Sequence, residues 1–100
     1  MPFAGTLQQA SGYTFEAQSS GTTKGAVTVF TIRKDRISEV ETFTAGGGQL
    51  NRTISTGVAR LIFMVTPVTG NNIVLTIQQG AGLTINETVS SDQQFVFDVA

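Results

Sequence analysis

Short segments in which apolar and polar residues alternate are separated along this chain by turn-forming residues. Clusters of Gly, Ser, Asn and Asp recur at a spacing of roughly 8 to 12 residues, too close together for long helices. In the segment YTFEAQ (residues 13–18), Tyr13, Phe15 and Ala17 alternate with polar side chains. A period of two places the apolar residues on one face of a strand, and no stretch shows a sustained helical period. The pattern therefore predicts an all-β fold.

About eight short strands are predicted. They span residues 12–18, 26–34, 37–44, 49–55, 58–67, 72–79, 83–89 and 94–99. Many short strands joined by frequent turns favour an antiparallel β-sandwich, jelly-roll or immunoglobulin-like, with a small barrel as the second choice. A length of 100 residues predicts one domain over residues 1–100. In VTPVTGNNIVLT (65–76), the residues Gly70 to Asn72 predict the bend of a hairpin.

Several classes of function are disfavoured by composition. The chain has no Cys and no His, which removes disulfides, thiolate or imidazole metal ligands and a His-dependent catalytic triad. Its net charge of −1 gives no electrostatic attraction to nucleic acid. No apolar run reaches the ~18 residues of a membrane helix. We therefore expect a protein that is not an enzyme, binds no nucleic acid, and spans no membrane; the sequence gives no indication of localisation.

Acidic residues offer two candidate sites, and both are better explained structurally. Glu39 and Glu41 share one face of a predicted strand at a spacing of about 7 Å, which suits the carboxylate pair of an inverting glycosidase. A solvated strand face is the preferred interpretation, because a sandwich of this size rarely offers a deep cleft. Calcium needs six to eight oxygen ligands, and the loop around Asp92 supplies one carboxylate. We expect neither a metal nor a cofactor.

Hydroxyl and amide side chains are abundant, and they suit sugar recognition as well as exposed strand faces. The residues selected as candidate ligand-binding positions are Tyr13, Asn71, Asn72 and Asp92. The predicted function is a non-enzymatic binding module with a carbohydrate or another surface ligand as its target. The alternative is a structural subunit of a virion, appendage or coat-like assembly.

The segment VARLIFMV (58–65) is apolar on both sides of an extended strand. The alternation of side chains along this strand gives two faces. One face carries Ala59, Leu61, Phe63 and Val65. The other face carries Val58, Arg60, Ile62 and Met64. A two-layer sandwich covers each strand on one side only. With no helix available as a third layer, a second copy of the chain is the expected cover. The sequence therefore predicts a homo-oligomer whose interface includes Arg60, Ile62 and Met64.

Overall fold

The computed structural model describes residues 3–21, 25–35, 39–46, 48–80 and 84–100, with the backbone alone for residues 3 and 4. These residues form nine strands and no helix. The strands are β1 (Phe3–Leu7), β2 (Gly12–Ser19), β3 (Ala26–Arg33), β4 (Glu39–Thr44), β5 (Leu50–Thr53), β6 (Val58–Thr66), β7 (Ile73–Gln78), β8 (Thr84–Val89) and β9 (Gln93–Val99).

The strands form two packed sheets. The five-stranded sheet has the order β1-β9-β6-β3-β4, and the four-stranded sheet has the order β5-β2-β7-β8. Paired strands are antiparallel except β1 and β9, which run parallel. The connections β3–β4 and β7–β8 are hairpins, and each of the other connections passes from one sheet to the other. The predicted all-β sandwich is confirmed.

Aromatic rings from both sheets meet in the centre of the core. Phe63 of β6 is completely buried, and its ring centroid lies 5.3 Å from that of Phe15 and 5.6 Å from that of Phe97. Tyr13 meets Phe63 edge-on at 6.2 Å. Because Tyr13 and Phe15 belong to β2, these contacts join the four-stranded sheet to the five-stranded one. The inward sides of β2 and β7, and of β6 from Leu61 onward, follow the predicted alternation.

The strand list differs from the prediction at the N-terminus and at one turn. Strand β1 was not predicted, since FAGTL lacks an alternating pattern and its partner β9 is distant in sequence. The predicted hairpin at residues 65–76 is wrong, because β6 and β7 belong to different sheets and the loop between them bridges the sandwich. Gly70 still adopts a positive φ of 88° in that loop. Positions 37, 38 and 83 of the predicted strands lie outside the described residues.

A bulge at the start of β6 changes which residues face the core. The register between β3 and β6 pairs Ile32 with Arg60 and then Arg33 with Val58, so that Ala59 is the extra residue. A bulge of this kind interrupts the alternation of side chains between the two faces of a strand. The predicted outward position of Val58 is therefore wrong, because Val58 is buried. Ala59, predicted to face inward, is half-buried.

Replacing Phe63 with Ala is expected to lower the free energy of unfolding by about 3–5 kcal/mol, because it empties the centre of the aromatic cluster. Urea unfolding followed by circular dichroism measures this change. The control is Val74→Ala, since Val74 is 38% exposed on the outer face of the other sheet; its cost should stay within about 0.5 kcal/mol. A similar cost for the two variants would contradict the central role of Phe63.

Candidate interaction surface

A row of apolar side chains crosses the outer face of the five-stranded sheet. Ile62 of β6 pairs directly with Val96 of β9 on one side and with Phe30 of β3 on the other, and Phe30 pairs with Val40 of β4. Directly opposed residues on antiparallel strands point to the same side of the sheet. These four residues therefore form one continuous stripe over four strands, which we call the outer apolar row.

Exposure along the outer apolar row increases toward the sheet edge. Val96 is 7% exposed, Ile62 and Phe30 are half-buried, and Val40 is 56% exposed. Val96 is well covered although it lies outside the main core cluster. The side chain with most apolar surface left to bury is therefore Val40, on the edge strand β4.

The rows on either side mix polar and apolar side chains, with Thr28 beside Met64 in one and Arg60 beside Ile32 in the other. Met64 belongs to the next row of pairs, beside Thr28, whose hydroxyl lies 3.4 Å from that of Thr42. On the other side, the Arg60 Nε donates a hydrogen bond of 3.0 Å to Asp98 Oδ1. The structure thus brings Arg60, Ile62 and Met64 to one outer surface, as the sequence predicts. That this surface binds a second copy stays a prediction.

The outer face of the four-stranded sheet has the opposite character. Pairing across β5, β2, β7 and β8 sets hydroxyl and amide side chains side by side in three rows. The rows are Asn51–Thr14–Gln78–Thr84, Glu16–Thr76–Asn86 and Gln18–Val74–Thr88. The Thr14 hydroxyl donates to Asn51 Oδ1 at 2.9 Å. The two outer faces of the sandwich are therefore chemically distinct: one is crossed by a continuous apolar row, and the other is mostly polar.

The candidate ligand residues do not form one site. Tyr13 is the second residue of β2 and is 8% exposed, with its ring packed into the core. Asn71, Asn72 and Asp92 lie at the opposite end of the sandwich, in the loops that precede β7 and β9. The strand pairing places those loops at one end, since Ile73 pairs with Val89 and Gln93 with Val65. Ligand binding by these four residues stays a prediction.

Two of the loop residues join the β6–β7 loop to the β2–β3 loop. The backbone N–H of Ser20 donates to the Asn72 carbonyl, and the Asn72 N–H donates to the Ser20 hydroxyl, both at 2.9 Å. The Asn71 carboxamide packs so closely on Gly21 that a Cβ at position 21 would overlap it. These contacts give Asn71 and Asn72 a structural role at this end of the sandwich.

The acidic pair weighed as a glycosidase site is engaged by arginines. Glu39 Oε1 accepts a hydrogen bond from Arg33 Nε at 2.8 Å, and Glu41 Oε2 lies 3.5 Å from Arg52 Nη2. Within the part of the chain that the structure describes, no three Asp or Glu side chains are grouped so that they could hold a metal ion. That the chain works without a metal or cofactor stays a prediction.

Val40 is the surface residue that sequence reasoning missed. Val40 stands between Glu39 and Glu41, and the residues two positions away from it on the same face are not apolar. The sequence of β4 therefore shows no apolar alternation that includes Val40. The signal that could have identified it is the pairing of β4 with β3, which aligns Val40 with Phe30. The contribution of Val40 to the apolar surface can be recognised only when the pairing of β3 with β4 is known.

Comparison with family models, with curated proteins and with solved structures finds no match for this chain. The described residues contain no helix that is long and apolar enough to cross a membrane. The two outer faces and the edges of the sandwich are therefore the features of the molecule that bear on its function.

Tyr13 gives the fold a measurable pH dependence. Burial raises the pKa of Tyr13 from 10.0 to about 12; the Arg52 guanidinium lowers it and the Glu41 carboxylate raises it. Because the folded pKa is above the unfolded value, the folded state holds its proton longer, and stability falls as the pH rises from about 10 to 12. The expected loss is about 2–3 kcal/mol at about 1.4 kcal/mol per unit of pKa.

The titration of Tyr13 can be followed directly, because the chain has one tyrosine and no tryptophan. Ultraviolet absorbance of the tyrosinate should give a midpoint near pH 12 in the folded protein. Urea unfolding across the same range should show the loss of stability, and Tyr13→Phe should remove that part of it. A tyrosinate midpoint near 10 in the folded state would contradict the burial of the hydroxyl.

Proposed function

We propose that this chain is a non-enzymatic module that associates with a second copy of itself through the outer face of its five-stranded sheet. The observation that carries the proposal is the outer apolar row, in which Val96, Ile62, Phe30 and Val40 lie in register across four strands. Contiguous apolar patches on a surface mark interaction sites more often than scattered single residues do.

A second copy fits this face better than a charged partner does. Arg60 and Asp98 neutralise each other at 3.0 Å, so the surface beside the row carries no net charge to attract or repel a partner. In a two-fold arrangement each copy presents the same patch to the other. The outer apolar row of one copy can then pack against the outer apolar row of the second copy. Sheets packed face to face lie about 10 Å apart, with their side chains interdigitated.

The size of the face sets the expected strength of association. Four strands at about 4.8 Å spacing and six residues at about 3.3 Å rise give a patch of roughly 20 by 20 Å. The two patches together would bury roughly 800 Å², which is below the range of stable specific interfaces and is expected only of a weak, transient pair. Ile62 and Phe30 are already half-buried in the monomer. The free energy that dimerisation gains from burying them is therefore smaller than the value for a fully exposed side chain. We therefore expect micromolar rather than nanomolar association.

The polar outer face of the four-stranded sheet favours a closed pair. Once two copies join through their apolar faces, both faces left outside carry hydroxyl and amide groups that water solvates well. Growth into an open polymer would have to use the sheet edges instead. A closed dimer supports the binding-module function, and an open-ended polymer would support the structural-subunit alternative.

Sedimentation velocity over a concentration series that begins in the micromolar range tests the association. The wild type should move from the 10.6 kDa monomer to the dimer as concentration rises. Ile62→Lys, at the centre of the row, and Met64→Lys beside it should each keep the chain monomeric, because a lysine ammonium would be buried without a partner. Thermal melting shows that the variants remain folded.

The matched control is Val74→Lys, which adds the same charge on the outer face of the four-stranded sheet. This variant should dimerise as the wild type does. A wild type that stays monomeric over the whole series would refute self-association, and equal effects of Ile62→Lys and Val74→Lys would show that added charge, not the row, is responsible.

Carbohydrate binding is the second candidate, and the polar face of the four-stranded sheet favours it. Its three rows offer closely spaced hydroxyl and amide groups, which both donate and accept hydrogen bonds. Glu16 is the acidic member of the central row, beside Thr76. A sugar chain laid across this face would meet side chains from several strands at once.

A glycan array screened with the pure protein tests this candidate. For any glycan that binds, Thr76→Ala should weaken binding, because Thr76 lies in the central row of the polar face. Thr28→Ala should leave it unchanged, since Thr28 is a half-buried threonine on the opposite outer face. An array with no bound glycan would exclude carbohydrate and leave self-association as the proposed function.

A further inference from the structure

One side of the sandwich is open, because its two edge strands do not pair with each other. Strand β4 is the edge of the five-stranded sheet and β5 is the edge of the four-stranded sheet. Between them lies a cavity of about 250 Å³, which we call the edge cleft. Its floor is formed by Phe15 and Ala17 of β2, and its walls include Phe43 of β4 and Leu50 of β5.

The edge cleft is lined mainly by apolar side chains, those of Phe15, Ala17, Phe43 and Leu50, and it is completed by Thr42, Thr44 and Gly48. The rings of Phe15 and Phe43 are 5.7 Å apart and inclined at 52°, so they offer both a ring face and a ring edge. Phe43 and Leu50 pack against the main core but remain partly exposed at the cleft. None of the residues that line the cavity carries a formal charge. An ion entering it would therefore lose part of its water without gaining a partner of opposite charge among these residues.

An ion pair bounds the cleft on one side. The Arg52 guanidinium lies 5.4 Å from the centre of the Phe43 ring, and its Nη2 is 3.5 Å from Glu41 Oε2. Arg52 thus contacts both the Phe43 ring and the Glu41 carboxylate, and Glu41 is paired with Arg52. The Arg52–Glu41 pair has no net charge, so this side of the cleft does not select for an ionic ligand.

The charges along β4 oppose the addition of another strand at this edge. Glu39 and Glu41 alternate with Val40 and point to the side that faces β5, where each meets an arginine. Inward-pointing charges on an edge strand are a common protection against pairing with another chain. The occupant of the cleft is therefore better sought among small molecules than among extended peptides.

We propose that the edge cleft binds a small uncharged aromatic molecule of about the size of indole. An enclosed apolar cavity of about 150 Å³ holds benzene. The edge cleft is partly open to solvent, and its volume of about 250 Å³ leaves room for a second fused ring. An aromatic ring gains edge-to-face contacts with Phe15 and Phe43 that an aliphatic group of the same size does not. This site is separate from the outer apolar row, so it does not depend on the proposed self-association.

Titration of the isotope-labelled protein with indole, followed by nuclear magnetic resonance, tests the proposal. The expected result is a saturable shift of the Phe43 and Leu50 signals, with no comparable shift at Ile62 on the outer face. The charged analogues indole-3-acetate and tryptamine should bind at least tenfold more weakly. Tighter binding of the acetate would instead indicate an anion site at Arg52 and would overturn the proposal.

Two variants locate the binding. Ala17→Leu should fill the cavity from its floor and weaken indole binding at least tenfold. Ala59→Leu should leave binding unchanged, because Ala59 is half-buried in the β6 bulge, at the far end of the sheet from Phe43. Retention of binding in a folded Ala17→Leu variant would overturn the assignment.

Leu50→Trp covers the case in which Ala17→Leu does not fold. This substitution places an indole at the wall of the cleft in a chain that has no tryptophan of its own. Its fluorescence should be blue-shifted, as expected for a buried indole, and added indole should no longer bind. Emission typical of a water-exposed indole, with binding of free indole intact, would refute the site.

Discussion

The ring of Phe63 lies where the two sheets meet, with Tyr13 and Phe15 of one sheet and Phe97 of its own sheet as neighbours. Strand β6, which carries it, pairs with β3 and β9 and so occupies the middle of the five-stranded sheet. Because the inner side of β6 is fixed by this aromatic packing, its outer side is fixed as well. The position of Ile62 on the outer surface follows directly from the burial of its two neighbours in sequence.

This geometry leaves the five-stranded sheet with apolar groups on both sides. The inner side is covered by the second sheet, and the outer side has only its own neighbouring side chains. In contrast, the second sheet alternates cleanly, with Ile73, Leu75 and Ile77 inside and mostly polar residues outside. The asymmetry between the two sheets is what gives the molecule a preferred surface for association, and it arises from side chains on β3, β6 and β9 that face away from the core.

Sequence periodicity predicted the class of fold and the faces of the long strands, because alternation is a local property. It failed where the outcome depends on residues distant in the chain. The bulge that turns Val58 inward is a feature of the β3–β6 pairing, and β1 is a strand because β9 offers it an edge. Val40 belongs to the outer apolar row because β4 pairs with β3 in the register that places Val40 opposite Phe30. The edge cleft depends on how far β4 stands from β5, and no pattern in either strand encodes that separation.

The parallel pairing of β1 with β9 also determines when the sandwich can be completed. Phe3 pairs with Val96 and Leu7 with Val99, so this ladder joins residues more than ninety positions apart. Strand β9 is, in addition, the partner of β6 and the source of Phe97 beside Phe63. Until residues 93–99 have left the ribosome, β6 has one unpaired edge and its central ring lacks a neighbour. Since contacts between distant residues form slowly, we expect the pairing of β1 with β9 to be a late step of folding.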